Sequence, residues 1–209
     1  VRQDGRVRLL SVDGRRFGRD RAALAKVIAD AAPDVACVHG SPHLLRWRSI
    51  SAALARRAGL VVVTGGRTAG ANLLLSTLGV DVVAVRDVRL GTGTSTSTGG
   101  AAIGALRLRD VPFVVATASL RGNAAERAAA ARAVQAEMRS VVPGVRAAIV
   151  SAEGADRPGS EAWQVLVDER VGVAGRLFVD GRLTVSEASE VGRGAAVLVD
   201  VALDPIVTA

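Results

Sequence analysis

Tyrosine is absent from this chain, which has only three phenylalanines and two tryptophans. A core built from it must rest on Ala, Val and Leu. The sparse aromatics also offer no interleaved platforms for stacking nucleic-acid bases. Cys37 is the single cysteine, so no internal disulfide forms, in keeping with a reducing compartment. His39 and His43 are the only histidines. Their spacing would align two ligands on a helix, but Gly40 and Pro42 interrupt it and no Glu follows His39, which excludes the helical zinc motif. A Gly-x-Ser-x-Gly nucleophile elbow is missing. The Gly/Ser/Thr tract from Gly91 to Gly100 lacks the Gly-Lys-Ser/Thr of a phosphate loop and reads as a loop. No run approaches the roughly 20 apolar residues of a membrane span, and no apolar signal core follows the charged start. The expectation is a soluble, cytoplasmic protein with no membrane partner.

What is present suits a globular α/β protein. The 209 residues are 49% hydrophobic, and positions 1–209 read as one domain. Lys26 is the only lysine among 27 basic residues. Residues 1–57 carry 12 basic and 5 acidic side chains, whereas the remainder carries 15 of each, so the whole +7 surplus lies in the first quarter. Such a basic region attracts an anionic ligand or nucleic acid. The blander reading is a solvated face whose Arg stems cover apolar surface. Trp47, between Arg46 and Arg48, reads as a core residue of an amphipathic helix.

Apolar runs and helical patterns alternate at first. Arg6 to Val12 reads as a strand, Asp20 as the cap of a helix with Leu24, Val27, Ile28 and Ala31 on one face, and Asp34 to Val38 as a buried strand. Ser41-Pro42 reads as the start of a helix whose stripe is Trp47, Ile50, Ala53 and Leu54. Strands follow at 60–64, 72–77, 80–89, 101–109 and 112–119, the last four joined by short turns as antiparallel hairpins. Asn123 and Glu126 have capping-box spacing ahead of a helix with Val134, Met138 and Val141 on one face. A strand at 146–151 and a short helix at 160–167 precede a strand-rich end. There the Asp180-Gly181 pair predicts a hairpin, and Ala195 to Val201 predicts an apolar strand able to pair between copies. Strand–helix units followed by hairpins occur twice. The pattern predicts an α/β fold of four layers, helices outside two facing sheets.

Carboxylates at strand ends are the candidates for chemistry. Asp13 ends the first strand, and Glu153 and Asp156 follow the strand at 146–151. Carboxylate oxygens at the mouth of a sheet hold Mg²⁺ in many sites; turn and cap roles are the alternative.

The ordered stretches RVRLLSVDGR, APDVACVHGSPHLLRWRS, GLVVVTGGRTAGANLLL, VPFVVATASLRGN, RPGSEAW, GRLFVDGRLTV and ASEVGRGAAVLVDVAL resemble the endonuclease/exonuclease/phosphatase superfamily, especially its short actinobacterial members. The resemblance implies a four-layer α/β/β/α sandwich and Mg²⁺- or Mn²⁺-dependent hydrolysis of phosphate esters. It also implies that most site positions are replaced. Asp13 stands where the family has Asn, and His39-Gly40 where it has Gln and a metal-binding Glu. Ser119 stands in place of a His, and Glu153 and Ala155 in place of the Asp and Asn of a Gly-Asp-x-Asn motif. Gly175 falls at a further Asp, and Arg193 within the terminal Ser-Asp-His.

Three readings follow. A pseudo-phosphoesterase would bind an anionic ligand, a nucleic acid or a protein partner, with no cofactor. An active Mg²⁺- or Mn²⁺-dependent phosphoesterase or nuclease would work from Asp13, Glu153 and Asp156, with His39 as acid/base. A scaffold protein would keep only the fold and assemble into oligomers.

Overall fold

A computed structural model describes residues 6–41, 46–91, 99–145, 147–155, 158–167, 170–173, 176–180, 183–191 and 195–203. Strand β1 (Arg6–Asp13) is followed by a 3-10 turn (Gly14–Phe17) and helix α1 (Arg21–Ala31). Then come β2 (Val35–His39), α2 (Trp47–Arg57), β3 (Val61–Gly66) and β4 (Asn72–Ser76). The second half holds β5 (Asp81–Leu90), β6 (Gly99–Leu108), β7 (Val111–Ser119), α3 (Ala124–Val141), β8 (Ala148–Glu153) and α4 (Glu161–Val167). It ends with β9 (Arg170–Val173), β10 (Leu177–Asp180), β11 (Thr184–Val191) and β12 (Ala196–Ala202).

Two six-stranded sheets result, ordered β11-β12-β1-β2-β4-β3 and β5-β6-β7-β8-β10-β9. In the first, β1 and β2 are parallel; in the second, β7 and β8 are. Period-two alternation assigns the faces. Val7 and Leu9 join Leu74, Leu106, Phe113, Val115, Ile149 and Val199 in the core between the sheets. Leu10 and Val12 face outward onto Leu24 and Ile28 of α1 and Leu54 of α2. On the far side, Val134 and Met138 of α3 and Leu166 of α4 cover Ile103, Val114 and Val150. The predicted four layers are therefore present. Asn123 and Glu126 make the predicted capping box, and Asp20 accepts from the Ala23 amide to cap α1.

Four local expectations fail. β4 and β5 do not form a hairpin: β4 pairs with β2 and β3 in the first sheet, while β5 opens the second. Ser41 does not start α2: its amide donates to Ala71 O at 2.7 Å, tying it to the turn after β3, and the helix starts at Trp47 behind a left-handed Arg46. Trp47 is half-buried rather than core, its ring lying against Gly66 under the Arg48 guanidinium at 4.5 Å. The Asp180-Gly181 pair does not close a hairpin. β10 pairs with β8 and β9 in one sheet while β11 pairs with β12 in the other, so the chain crosses between sheets there. The crossing leaves Leu177, Val179 and Leu183 all in the inter-sheet core. Pro42, His43, residues 181–182 and most of the Gly/Ser/Thr tract, 92–98, lie outside the described ones.

The apolar strand at the end, β12, is no sheet edge, because β1 and β11 flank it. Its Asp200 instead receives both ends of the Arg8 guanidinium, at 2.7 Å each, and that bond is the main reason Arg8 is held above its ordinary basicity. The edge β11 carries Glu187 and Glu190, a charged and thus guarded edge. The apolar edge lies elsewhere. Val61, Val62, Leu78, Val82, Val83 and Val85 are the exposed large apolar side chains among the described residues, and they span β3, β5 and the turn leading into β5. No described helix is long and apolar enough to cross a membrane.

Phe113 is fully buried between the sheets. Phe113→Ala is expected to destabilise the fold by about 3–5 kcal/mol, as a lower urea midpoint with unchanged slope.

Candidate functional site

The inward-facing column of four strands changes character at its carboxyl end. In β1, Val7 and Leu9 give way to Ser11 and Asp13; in β2, Val35 and Cys37 to His39. In β7, Phe113 and Val115 give way to Thr117 and Ser119; from Ala147 through β8, Ala147 and Ile149 give way to Ser151 and Glu153. With Asn72 at the start of β4, these side chains fill one end of the inter-sheet space.

Asn72 organises the buried part. Its amide nitrogen donates to Ala69 O at 2.8 Å and Gly100 O at 2.9 Å, which directs Oδ1 at the two side chains opposite. His39 Nδ1 lies 3.1 Å from that oxygen, so Nδ1 carries the proton. Neutral His39 then accepts at Nε2 from Ser151 Oγ at 2.7 Å, and Ser151 accepts from Ser11 Oγ at 2.7 Å. Ser119 Oγ lies 3.0 Å from Asn72 Oδ1 and 3.1 Å from Glu153 Oε2, with one proton for the two acceptors. The approach of β6 to the turn before β4 needs glycine at position 100, where a Cβ would meet Gly70 N at 2.5 Å. His39, Ser11, Asn72 and Ser151 have no exposure. Burial is the largest force on the imidazole and the Arg176 charge adds to it, lowering its pKa to about 4 despite the nearby carboxylates.

The outer part is ionic. Asp13 Oδ1 accepts from the Arg15 amide at 3.1 Å, capping the 3-10 turn, and from Arg15 Nε at 3.1 Å. Arg15 Nη2 also reaches Glu153 Oε1, so one guanidinium joins two carboxylates. Arg121 Nη2 donates to the second Glu153 oxygen at 3.2 Å. Burial pushes the Asp13 carboxyl up, but the hydrogen bond and charge of Arg15, aided by Arg176, more than reverse this and hold it below the usual range. Arg15 shows the counterpart: burial lowers its basicity, and its bonds to Asp13 and Glu153 raise it above normal. The Arg15 stem lies directly over Gly40, at φ +67°, where a Cβ would come within 2.8 Å of Cδ.

Of the sequence candidates, Asp13, His39, Ser119 and Glu153 are thus brought together, with Gly40 beneath Arg15. Ala155 is fully buried in the core under α3 and α4. Asp156, Gly175 and Arg193 lie outside the described residues. Ser11, Arg15, Asn72, Arg121 and Ser151 join the site without having been expected there. The switch from apolar to polar along each inward-facing column is the signal for Ser11 and Ser151; nothing in the sequence marks Arg15.

The implied Mg²⁺ or Mn²⁺ finds a poor fit. Asp13 and Glu153 are both taken by guanidinium groups, and the described residues contain no cluster of three His, Cys, Asp or Glu side chains. Cys37 sits among the apolar side chains of the inter-sheet core, where burial pushes its thiol to about 12.

The neutral His39 gives a pH test. Its proton affinity is lower folded than unfolded, so the unfolded chain binds the extra proton as pH falls from about 6.5 to about 4. Stability is expected to drop by about 3 kcal/mol across that window. His39→Gln should lose the slope there while keeping the further loss at lower pH from Asp13, as read by urea unfolding at stepped pH.

No family model matches the sequence, and no curated protein matches it. Solved structures do. An endonuclease/exonuclease/phosphatase family protein from Bacteroides thetaiotaomicron superposes with TM-score 0.74 at 12% identity, over 98% of each chain. The human Nocturnin catalytic domain with bound sulfate gives 0.72 at 12% identity, over 98% of this chain and 95% of that one. A mannosyl-6-phosphatase of Bacteroides thetaiotaomicron gives 0.69 at 12% identity, over 93% and 98%. The chain therefore has the four-layer α/β/β/α fold of the endonuclease/exonuclease/phosphatase proteins.

Proposed function

We propose that this chain is a phosphoesterase-fold protein that binds a phosphate-bearing anion at the end of its sandwich and does not hydrolyse it by metal-assisted attack. The observation that carries the reading is the commitment of both strand-end carboxylates to arginine. Attack on phosphorus needs a polarising cation, a base for water and stabilisation of developing charge. Here the carboxylates serve as counterions. His39 is buried with both ring nitrogens bonded, so it has no free edge for water.

What remains is positive charge. Arg15 and Arg121 bond Asp13 and Glu153, and the charge of Arg176 also acts on Asp13, a surplus of one cation among these groups. Arg176 stands next to the site through its carbonyl, which accepts from the Ala152 amide at 2.8 Å, and its charge acts on both His39 and Asp13. Arginine suits a phosphate, offering two parallel donors. The bound sulfate of the Nocturnin domain, a protein of the same fold, supports an oxyanion as ligand.

Calorimetry on chelator-treated protein with inorganic phosphate and with a nucleoside monophosphate tests this. Binding is expected in the micromolar to millimolar range, weakened about tenfold or more in Arg176→Ala and Arg121→Ala. No binding at ~10 mM ligand would remove the anion site. Mn²⁺-dependent turnover of bis(4-nitrophenyl) phosphate, abolished in Asp13→Ala, would establish the hydrolytic reading instead. A second reading, assembly of copies, draws on the exposed valines of β3 and β5 rather than on β12. A concentration-independent monomer in sedimentation velocity would end it.

A further inference from the structure

We infer that the Arg15 guanidinium is a tethered substitute for a divalent cation, holding Asp13 and Glu153 together without metal. A single planar group bridges the two carboxylates, with Nε on Asp13 and Nη2 on Glu153. Arg121 and Ser119 fill the other Glu153 oxygen, at 3.2 and 3.1 Å. Asp13 also caps the turn that presents Arg15, so the carboxylate that receives the guanidinium fixes the backbone carrying it.

The available space fits an exchange of parts. The Arg15 stem passes where a side chain at position 40 would project: a Cβ there would lie 2.8 Å from Arg15 Cδ and 3.1 Å from Nε. Position 40 is also where the sequence resemblance puts a metal-binding Glu. A side chain there and the Arg15 stem exclude one another. The chain has Gly40, and the arginine fills the vacated volume.

A divalent ion at this place needs carboxylate oxygens at about 2.0–2.6 Å, the same oxygens that accept from Arg15. Ion and guanidinium compete for one position and repel each other. The tethered cation is always charged and does not dissociate, so it offsets one of the two carboxylate charges at any metal concentration, with Arg121 on Glu153 offsetting the other. Bridging of the carboxylates by Arg15 does not depend on whether an anion binds beside them.

The test is Mn²⁺ binding, followed by the electron paramagnetic resonance of free Mn²⁺, with thermal melts in chelator and in Mn²⁺. Chelator-treated wild-type protein is expected to leave the signal unchanged up to ~1 mM Mn²⁺ and to melt identically in both conditions. Arg15→Ala should melt lower in chelator, because two carboxylates lose their shared counterion, and should recover in Mn²⁺ as it binds at least about tenfold tighter than wild type. The double variant R15A/G40E should bind about tenfold tighter again, and adding Glu153→Ala to either should abolish binding. Arg15→Gln, which keeps the stem without the charge, serves if Arg15→Ala does not fold, with the same Mn²⁺-dependent recovery expected. Two results overturn the inference: wild-type binding of Mn²⁺ that Asp13→Ala or Glu153→Ala removes, or folded Arg15 variants with neither Mn²⁺ binding nor Mn²⁺-dependent melting. Phosphate binding is measured without metal, so either proposal can fail while the other stands.

Discussion

An imidazole with no exposure sits between the two sheets, and the arrangement at this end of the sandwich follows from satisfying it. A buried donor or acceptor left unpaired costs about 1–3 kcal/mol, and His39 brings one of each. Asn72 meets the donor only because two backbone carbonyls, Ala69 and Gly100, fix which end of its amide points inward. Ser151 meets the acceptor from the opposite sheet, and Ser11 meets Ser151 in turn. One proton arrangement satisfies the chain from Ser11 to Asn72. It joins β1, β2 and β4 of one sheet to β8 of the other, and so sets how far apart Asp13 and Glu153 stand.

Ser151, His39 and Asn72 have the atom order of a nucleophile, a base and its orienting group. Access decides against that role. Ser151 Oγ is closed off by Ser11, and none of the three reaches the surface. A base that is to meet substrate needs an open edge, and a nucleophile needs a path for the reacting atom. The same atoms in the same order here act as a polar tie between sheets.

Much of the architecture was legible because it rests on local rules. The alternation in Arg6 to Val12, the capping box at Asn123 and Glu126, and the β5–β6–β7 hairpins each state a local preference that the fold obeys. What failed depended on the opposite sheet. Asp180-Gly181 reads as a hairpin because apolar runs flank it. Those runs pack the same way in a ladder as in a crossing, and only the fold shows that Val179 and Leu183 share the core between sheets. The site was half legible for the same reason. Asp13 and Glu153 stand out as carboxylates ending apolar strands, and the resemblance marks His39 and Ser119, whereas Arg15 becomes intelligible only through the missing side chain of Gly40, a residue on the next strand's exit.

Charge arithmetic links the two halves of the functional reading. At the effective dielectric near a protein surface, unit charges ~4 Å apart interact by about 4 kcal/mol before salt screening. A divalent ion beside Arg15 would meet roughly twice that in repulsion from the guanidinium, and its carboxylate ligands are already engaged. A phosphate meets the reverse. The carboxylates offset two of the three arginine charges, and under the proposed reading the Arg176 charge, which acts on Asp13 and His39, attracts the phosphate. Among the described residues the Arg15 bonds run through Nε and Nη2, which leaves recognition to the guanidinium edge turned away from the carboxylates. Under the proposed reading, the guanidinium that disfavours a divalent ion at this mouth is also the group that favours an anion there.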